Sequence, residues 1–153
     1  MATTVTLREV RDDDLKVLYQ NQVDPESGAM AGVEARSWDD FLAHQARVTA
    51  DPEALQRVIV LDDGQVVGDI GAWRAASGTR EIGYRIDRRY WGRGIATAAL
   101  ATFLAEFGER PLHAHVLKTN RSSIRVLEKC GFARVPEGEE ADDDPEAYEF
   151  ALR

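Results

Sequence analysis

Two glycines, three arginines and the start of a helical apolar pattern share one short stretch of a chain that is otherwise acidic. It reads Arg88-Arg89-Tyr90-Trp91-Gly92-Arg93-Gly94-Ile95-Ala96. Gly92 and Gly94 let the backbone come close to a ligand and take dihedrals closed to other residues. The amides that open a helix have no partner inside it and carry the positive end of its dipole, so an anion sits well there. Arg88, Arg89 and Arg93 add formal charge within six residues. A pyrophosphate is the natural guest. The stretch is not a P-loop, because no Gly-Lys-Ser/Thr follows. Nor is it the usual dinucleotide fingerprint, since the next strand ends on Lys118-Thr119-Asn120 and not on an acidic residue. Taken alone, a glycine-relieved turn with its arginines in water would account for the same letters.

A second group follows about 25 residues on. Asn120-Arg121-Ser122-Ser123 precedes Ile124, Val126 and Leu127, and then Lys129-Cys130-Gly131-Phe132. Asn120 suits a helix N-cap, Gly131 a helix stop and Phe132 the core. Other groups able to move protons are Glu81, Asp69, and His113 with His115, which alternate along one strand face. Cys130 has no histidine at a diagnostic spacing, which argues against a cysteine nucleophile.

The elements that must hold these residues follow from periodicity. Residues 4–10 alternate as a strand, and Arg11-Asp12-Asp13-Asp14 caps a helix carrying Leu15, Leu18 and Tyr19. Pro25, Gly28 and Gly32 mark a break over 24–36. Ser37-Trp38-Asp39-Asp40 then opens a second helix, with Asp40 where a capping box has Glu or Gln. Strands at 57–61 and 66–73 flank the Asp62-Asp63-Gly64 turn, and Ser77-Gly78-Thr79 leads to a third at 81–86. A helix over 95–107, a strand over 112–117, a helix over 122–130 and strands at 132–135 and 148–152 complete the chain. The expected architecture is α/β (α+β): a mixed, mostly antiparallel sheet of about seven strands with about four helices on its two faces.

At 153 residues the chain suits one domain, 1–153, with a sizeable core. Seven acidic residues in 137–146 carry most of the formal net charge of −8, so the remainder is near neutral. That balance argues against nucleic acid as a partner. The loop itself reads as a solvated segment, or as a lure for a cationic substrate. No apolar run reaches the roughly 18 residues of a membrane span, and the first ten residues lack a secretory pattern. One cysteine excludes an internal disulfide and a cysteine zinc cluster. A cytoplasmic protein that needs no metal and no membrane is the simplest expectation; a homodimer stays open.

Together, the strand, the Gly-Arg-Gly-Ile-Ala helix start, and the Asn-x-x-Ser with its eight-residue interval to Gly-Phe resemble the GNAT superfamily of acyl-CoA N-acyltransferases. Tyr90-Trp91-Gly92-Arg93-Gly94-Ile95-Ala96-Thr97 is similar to the branch that contains the ribosomal-protein-alanine acetyltransferases. The matching stretch, 80–133, covers about a third of the chain. The resemblance implies acetyl-CoA as co-substrate and an amine as acceptor, either a small molecule or a peptide N-terminus. The family pattern Gln/Arg-x-x-Gly-x-Gly/Ala falls on Trp91, Gly94 and Ala96, so the amides of Gly92, Arg93, Gly94, Ile95 and Ala96 would cradle the pyrophosphate. Ile86 would bond the pantetheine arm through its backbone, Asn120 would bind the same region, and Ser123 would lie near the thioester sulfur. Trp91 replaces the commoner Gln or Arg, which leaves Arg89 or Arg93 to supply phosphate charge. Many relatives carry a tyrosine acid seven residues after the Asn; here Leu127 stands there, so the thiolate's proton comes from Ser123, Tyr84, water or nothing.

Catalysis without that tyrosine is tolerable, because a thiol of pKa about 8.5 leaves readily as thiolate. Deprotonating the amine is harder. A lysine-like amine (pKa about 10.4) is neutral about once in several thousand at pH 7, an α-amine (about 7.7–8.0) about once in ten, which favours an α-amine acceptor. Glu81 is the preferred base, through a water, in a direct attack within a ternary complex. The stretch from Asp24 to Phe41, with Met30 and Trp38, and the loop 137–146 are expected to border the acceptor. A non-catalytic acyl-CoA sensor of the same fold is the alternative.

Overall fold

The computed structural model describes residues 4–25, 36–136 and 146–153. Met30 and residues 137–145 of the acidic loop lie outside the described residues. Seven strands form one sheet: β1 (Val5–Arg8), β2 (Leu55–Leu61), β3 (Val66–Arg74), β4 (Arg80–Ile86), β5 (Leu112–Leu117), β6 (Ala133–Arg134) and β7 (Ala147–Leu152). Among the described residues four helices accompany them: α1 (Leu15–Val23), α2 (Trp38–Ala50), α3 (Ile95–Glu106) and α4 (Arg121–Lys129). Short 3-10 turns at Asp12–Asp14 and Arg88–Tyr90 precede α1 and the stretch before α3. This is the expected mixed α/β architecture with helices on both faces.

The turn residues do the predicted work. Gly64 takes φ +88° between β2 and β3, where Asp62-Asp63-Gly64 closes the hairpin. The Ser37 hydroxyl accepts from the Asp40 amide at 3.2 Å, the N-cap of α2. The Asn120 side chain likewise accepts from the Ser123 amide at 3.2 Å, capping α4. Strand order is β1-β2-β3-β4-β5-β7-β6. The terminal strand β7 therefore inserts between β5 and β6, and α4 is not a crossover between neighbours.

Alternation along the strands sorts the faces. Ile70, Ala72, Ile82, Ile86, Leu112, Ala114, Val116 and Phe150 share a core with Ile95, Ala99, Leu100 and Phe103 of α3 and Leu127 of α4. Val58 packs on the other side with Leu18 of α1 and Phe41 of α2. That second face also takes Asp69, Trp73, Glu81, Gly83 and Arg85, by the β3–β4 register that sets Asp69 opposite Arg85 and Trp73 opposite Glu81.

One pairing differs from all the others. β3 and β4 pair over seven positions, whereas β4 meets β5 in parallel only at Glu81 and His113. Beyond that point the two strands part. Asp87 donates its amide to Val67 of β3 at 2.7 Å, so alternation turns the backbone groups of Tyr84 and Ile86 the other way, toward the gap.

The start of α1 is fixed by charge. The Arg8 guanidinium donates to both Asp14 oxygens, at 2.8 and 2.9 Å, and the Arg11 amide donates to Asp14 Oδ2 at 2.7 Å. The Arg8 hydrogen bonds, above all, hold the buried Asp14 carboxyl below the usual carboxylate range. Asp14→Asn is expected to cost about 2 kcal/mol in urea unfolding at pH 7. A depressed carboxylate stabilises above its unfolded pKa of about 3.9 and ceases to as pH falls through the folded value. The native protein should thus lose this increment at acid pH, and the Asn variant should have less to lose.

Candidate active site

The stretch singled out in the sequence becomes a turn wrapped around the end of β4. Asp87 accepts from the Arg89 amide at 2.9 Å and starts the 3-10 turn. The Trp91 indole N–H then donates to the Ile86 carbonyl at 2.9 Å, fastening the loop to the strand it has just left. Trp91 therefore holds the turn in place. Gly92 and Gly94 both adopt left-handed dihedrals, at φ +77° and +76°. A side chain at either position would strain the backbone.

Gly94 is the N-cap of α3 and brings no side chain to cap it. The first bond inside the helix runs from the Ala98 amide to the Gly94 carbonyl, at 3.1 Å. The amides of Ile95, Ala96 and Thr97 have no acceptor within the helix. They open onto a cavity of about 390 Å³ lined by Gly92, Gly94, Ile95, Ala96 and Thr97 on one side. Its other walls include Tyr84 and Ile86 from β4, and Asn120, Ser123, Arg125 and Lys129 at or on α4. The size falls within the usual range for ligand pockets, about 300–1,000 Å³.

Charge singles the cavity out. No carboxylate stands among its described lining residues, in a chain of net charge −8, whereas Arg125 and Lys129 do. Ser122, Arg125, Val126 and Lys129 recur at three- and four-residue steps and so form one stripe of α4 facing the cavity. The sequence reading passed over this stripe, although its helical spacing beside Asn120 was visible. The arginines it preferred sit elsewhere. Arg89 is bound to Asp87, with Nη2 to Oδ2 at 2.6 Å, and Arg93 lies over the Tyr90 ring at 5.3 Å from its centroid. Neither lines the cavity, and Arg88 pairs with Asp24 at 3.1 Å. Helix α4, not the turn, brings cations to this wall.

The remaining expected residues divide between the two faces. Tyr84 and Ser123 meet across the cavity wall, with their hydroxyl oxygens 2.6 Å apart. Burial pushes the Tyr84 phenol up to about 12, against the smaller opposing effect of Ser123. Leu127 is buried in the core and offers no group to the cavity. The Ile86 carbonyl is already engaged by Trp91, so the Ile86 amide is the backbone group it turns toward the gap. Cys130 donates its thiol to the Thr97 carbonyl at 3.8 Å, and burial pushes that thiol up, away from a nucleophilic thiolate.

Glu81, the expected base, lies on the opposite face. His115 Nδ1 is 2.7 Å from Glu81 Oε1, and His115 Nε2 is 3.4 Å from Glu149 Oε1. Arg80, its sequence neighbour, pairs instead with Glu53 and Glu109. Asp69 accepts from Gln56 at 3.1 Å and faces Arg85. Burial raises the Asp69 carboxyl above its ordinary range despite both partners. Among the described residues no group of three or more His, Cys, Asp or Glu could hold a metal ion. No helix among them is long and apolar enough to cross a membrane.

A strand that parts from its parallel neighbour beside an uncapped, cation-flanked helix start leaves a cavity that suits an anion. The match to known proteins gives the class: residues 4–133 fit the acetyltransferase (GNAT) domain, and the chain belongs to that family. It is 34% identical over 96 residues to a probable N-acetyltransferase, YjcK, of Bacillus subtilis, covering 58% of this chain and 53% of that one. The chain thus spans about half the length of this relative. It is 27% identical to an uncharacterised N-acetyltransferase, p20, of Bacillus licheniformis over 85% of this chain and 79% of that one. The fold is also that of the spermidine N-acetyltransferase of Vibrio cholerae, solved with CoA and spermine. The two superpose with a TM-score of 0.83 over 97% of this chain and 94% of that one, at 16% identity.

Gly94→Glu, which adds backbone strain and a carboxylate at the helix start, is expected to weaken coenzyme A binding by more than about 100-fold in calorimetry. Arg125→Ala and Lys129→Ala should each weaken it about three- to tenfold, with a shallower salt dependence than native. Native affinity in all three variants would remove the cavity as the cofactor site.

Proposed function

We propose that the protein transfers the acetyl group of acetyl-CoA to an amine, by direct attack within a ternary complex. The observation that carries this reading is the cavity at the uncapped start of α3, with no carboxylate among its described lining residues, opening beside the gap between β4 and β5. The coenzyme's pyrophosphate lies on the amides of Gly92 through Thr97, with Arg125 and Lys129 neutralising its charge. Its pantetheine arm follows the unpaired edge of β4 past Ile86 and past Asn120, taking the place β5 leaves open. The thioester then lies near Tyr84 and Ser123.

The amine attacks the thioester carbon from the Glu81 side of the sheet and gives its proton to Glu81, directly or through a water. The carbon–sulfur bond breaks and the electron pair leaves with sulfur. Tyr84, held protonated by its burial, donates a hydrogen bond to that sulfur. Complete proton transfer from a phenol near 12 to a thiolate of pKa about 8.5 is uphill, so the thiol takes its final proton from solvent. The half-buried tyrosine of β4 thereby supplies the hydrogen bond that Leu127 cannot. Acetyl-CoA and an amine suffice, and the chemistry asks for no metal.

Release of free thiol from acetyl-CoA, followed against a panel of peptide N-termini, polyamines and small arylalkylamines, tests the activity. Amine-dependent release is expected; coenzyme binding without release in any class would favour a sensor. Tyr84→Phe should lower kcat about 10- to 100-fold while coenzyme A affinity stays within about twofold. Glu81→Gln should lower turnover near neutral pH at similar cofactor affinity. Full activity in the Glu81 variant would remove that residue as base.

A further inference from the structure

The end of β4 is held through an irregularity in its neighbour β3. Along β2 and β3, Ile59 pairs with Gly68 and Val60 with Val66, so Val67 is left over as a β-bulge. Both Val67 and Gly68 grip β4. The Val67 carbonyl accepts from the Asp87 amide at 2.7 Å, and Gly68 faces Ile86 in the β3–β4 register.

The approach at Gly68 is closer than any side chain would permit. A Cβ added there would stand 2.1 Å from the Arg85 carbonyl oxygen, 3.1 Å from the carbonyl carbon and 3.1 Å from Ile86 Cα. All three atoms belong to one peptide unit, which would have to move. Gly68 is not among the glycines with left-handed dihedrals, so its missing side chain supplies room and not conformational freedom. A trans peptide is planar and points its C=O and N–H in opposite directions. Seating the Arg85 oxygen against Gly68 therefore aims the Ile86 N–H away from β3, into the gap that β5 leaves open.

We propose that Gly68 is a positioning residue for the cofactor: it fixes the Arg85–Ile86 peptide so that the Ile86 amide donates to the pantetheine arm. This rests on the placement of that arm in the acetyl-transfer reading above. Val67 and Gly68 hold the strand on both sides of the Ile86 amide, which thus meets the arm already oriented. A methyl at position 68 would turn the peptide or push β4 into the gap, and either shift costs the arm its donor. The diphosphate would keep its partners, because the amides at the start of α3 belong to another element. Gly71 provides the comparison. Its added Cβ would meet the Leu55 carbonyl oxygen at 2.8 Å, a similar clash directed at β2 and away from the cofactor.

The test compares, by calorimetry, coenzyme A with phosphoadenosine diphosphate, its nucleotide half without the arm. The native protein is expected to bind coenzyme A more tightly. In Gly68→Ala that advantage should shrink about three- to tenfold, with affinity for the nucleotide within about twofold of native. Gly71→Ala should keep the full advantage, although both variants melt earlier. Hydrogen exchange at the Ile86 amide follows the same contact. Coenzyme A should slow it in the native protein and in Gly71→Ala, and leave it fast in Gly68→Ala. An undiminished advantage in Gly68→Ala, the same loss in Gly71→Ala, or equal losses for both ligands would overturn the assignment and leave the acetyl-transfer reading intact. So would a Gly68→Ala protein that fails to fold with the nucleotide present. No advantage for coenzyme A even in the native protein would overturn the placement of the arm and this assignment with it.

Discussion

The separation of β4 from β5 is the constraint on which the rest of the site depends. A parallel pair joined at one position gives up hydrogen bonds that a continuous ladder would have made, and backbone groups left facing a gap need partners. The gap is stabilised from both ends. At its closed end Glu81, His113, His115 and Glu149 bring β4, β5 and β7 together through close histidine–carboxylate contacts. At its open end Trp91 caps the Ile86 carbonyl, and α3 presents amides with no acceptor. The slot is therefore lined by polar backbone that suits an extended amide-bearing arm and an anion.

Sequence, local structure and chemistry connect through a few residues in this arrangement. Gly92 and Gly94 are required because the chain must turn through left-handed dihedrals to direct α3 at the end of β4. A glycine N-cap such as Gly94 costs a helix only about a few tenths of a kcal/mol relative to Ser or Asp. Here it leaves the amides available. Ion pairs hold Arg88 and Arg89 and the Tyr90 ring takes Arg93, while α4 brings cations back across the cavity. Cations thus stand at the wall where an anion is expected.

Much of the fold was legible because it is written in local signals. The hairpin at Asp62-Asp63-Gly64, the Ser37 and Asn120 caps and the apolar period of 95–107 each depend on residues a few positions apart. The insertion of β7 between β5 and β6 is a long-range pairing, and nothing local in Ala133–Arg134 or Ala147–Leu152 encodes the partner. The family resemblance identified the turn, Asn120 and Ser123 as a group, and the cavity brings them together. Arg125 and Lys129 of α4 line the cavity, whereas Arg89 pairs with Asp87. The Asp87–Arg89 pair closes over two residues only because a 3-10 turn folds it back, a geometry that the letters alone do not specify. The Trp91–Ile86 bond and the close approach of Gly68 to Arg85 were hidden for the same reason, since both need the register of neighbouring strands or turns to be known.

The most direct measurement is amide hydrogen exchange, residue by residue, with and without coenzyme A. The account predicts new protection concentrated at the amides of Gly92 through Thr97 and at Ile86, with little change on β1 or α2. Protection that leaves the start of α3 untouched while other segments slow down would contradict it, since the diphosphate would then rest somewhere else.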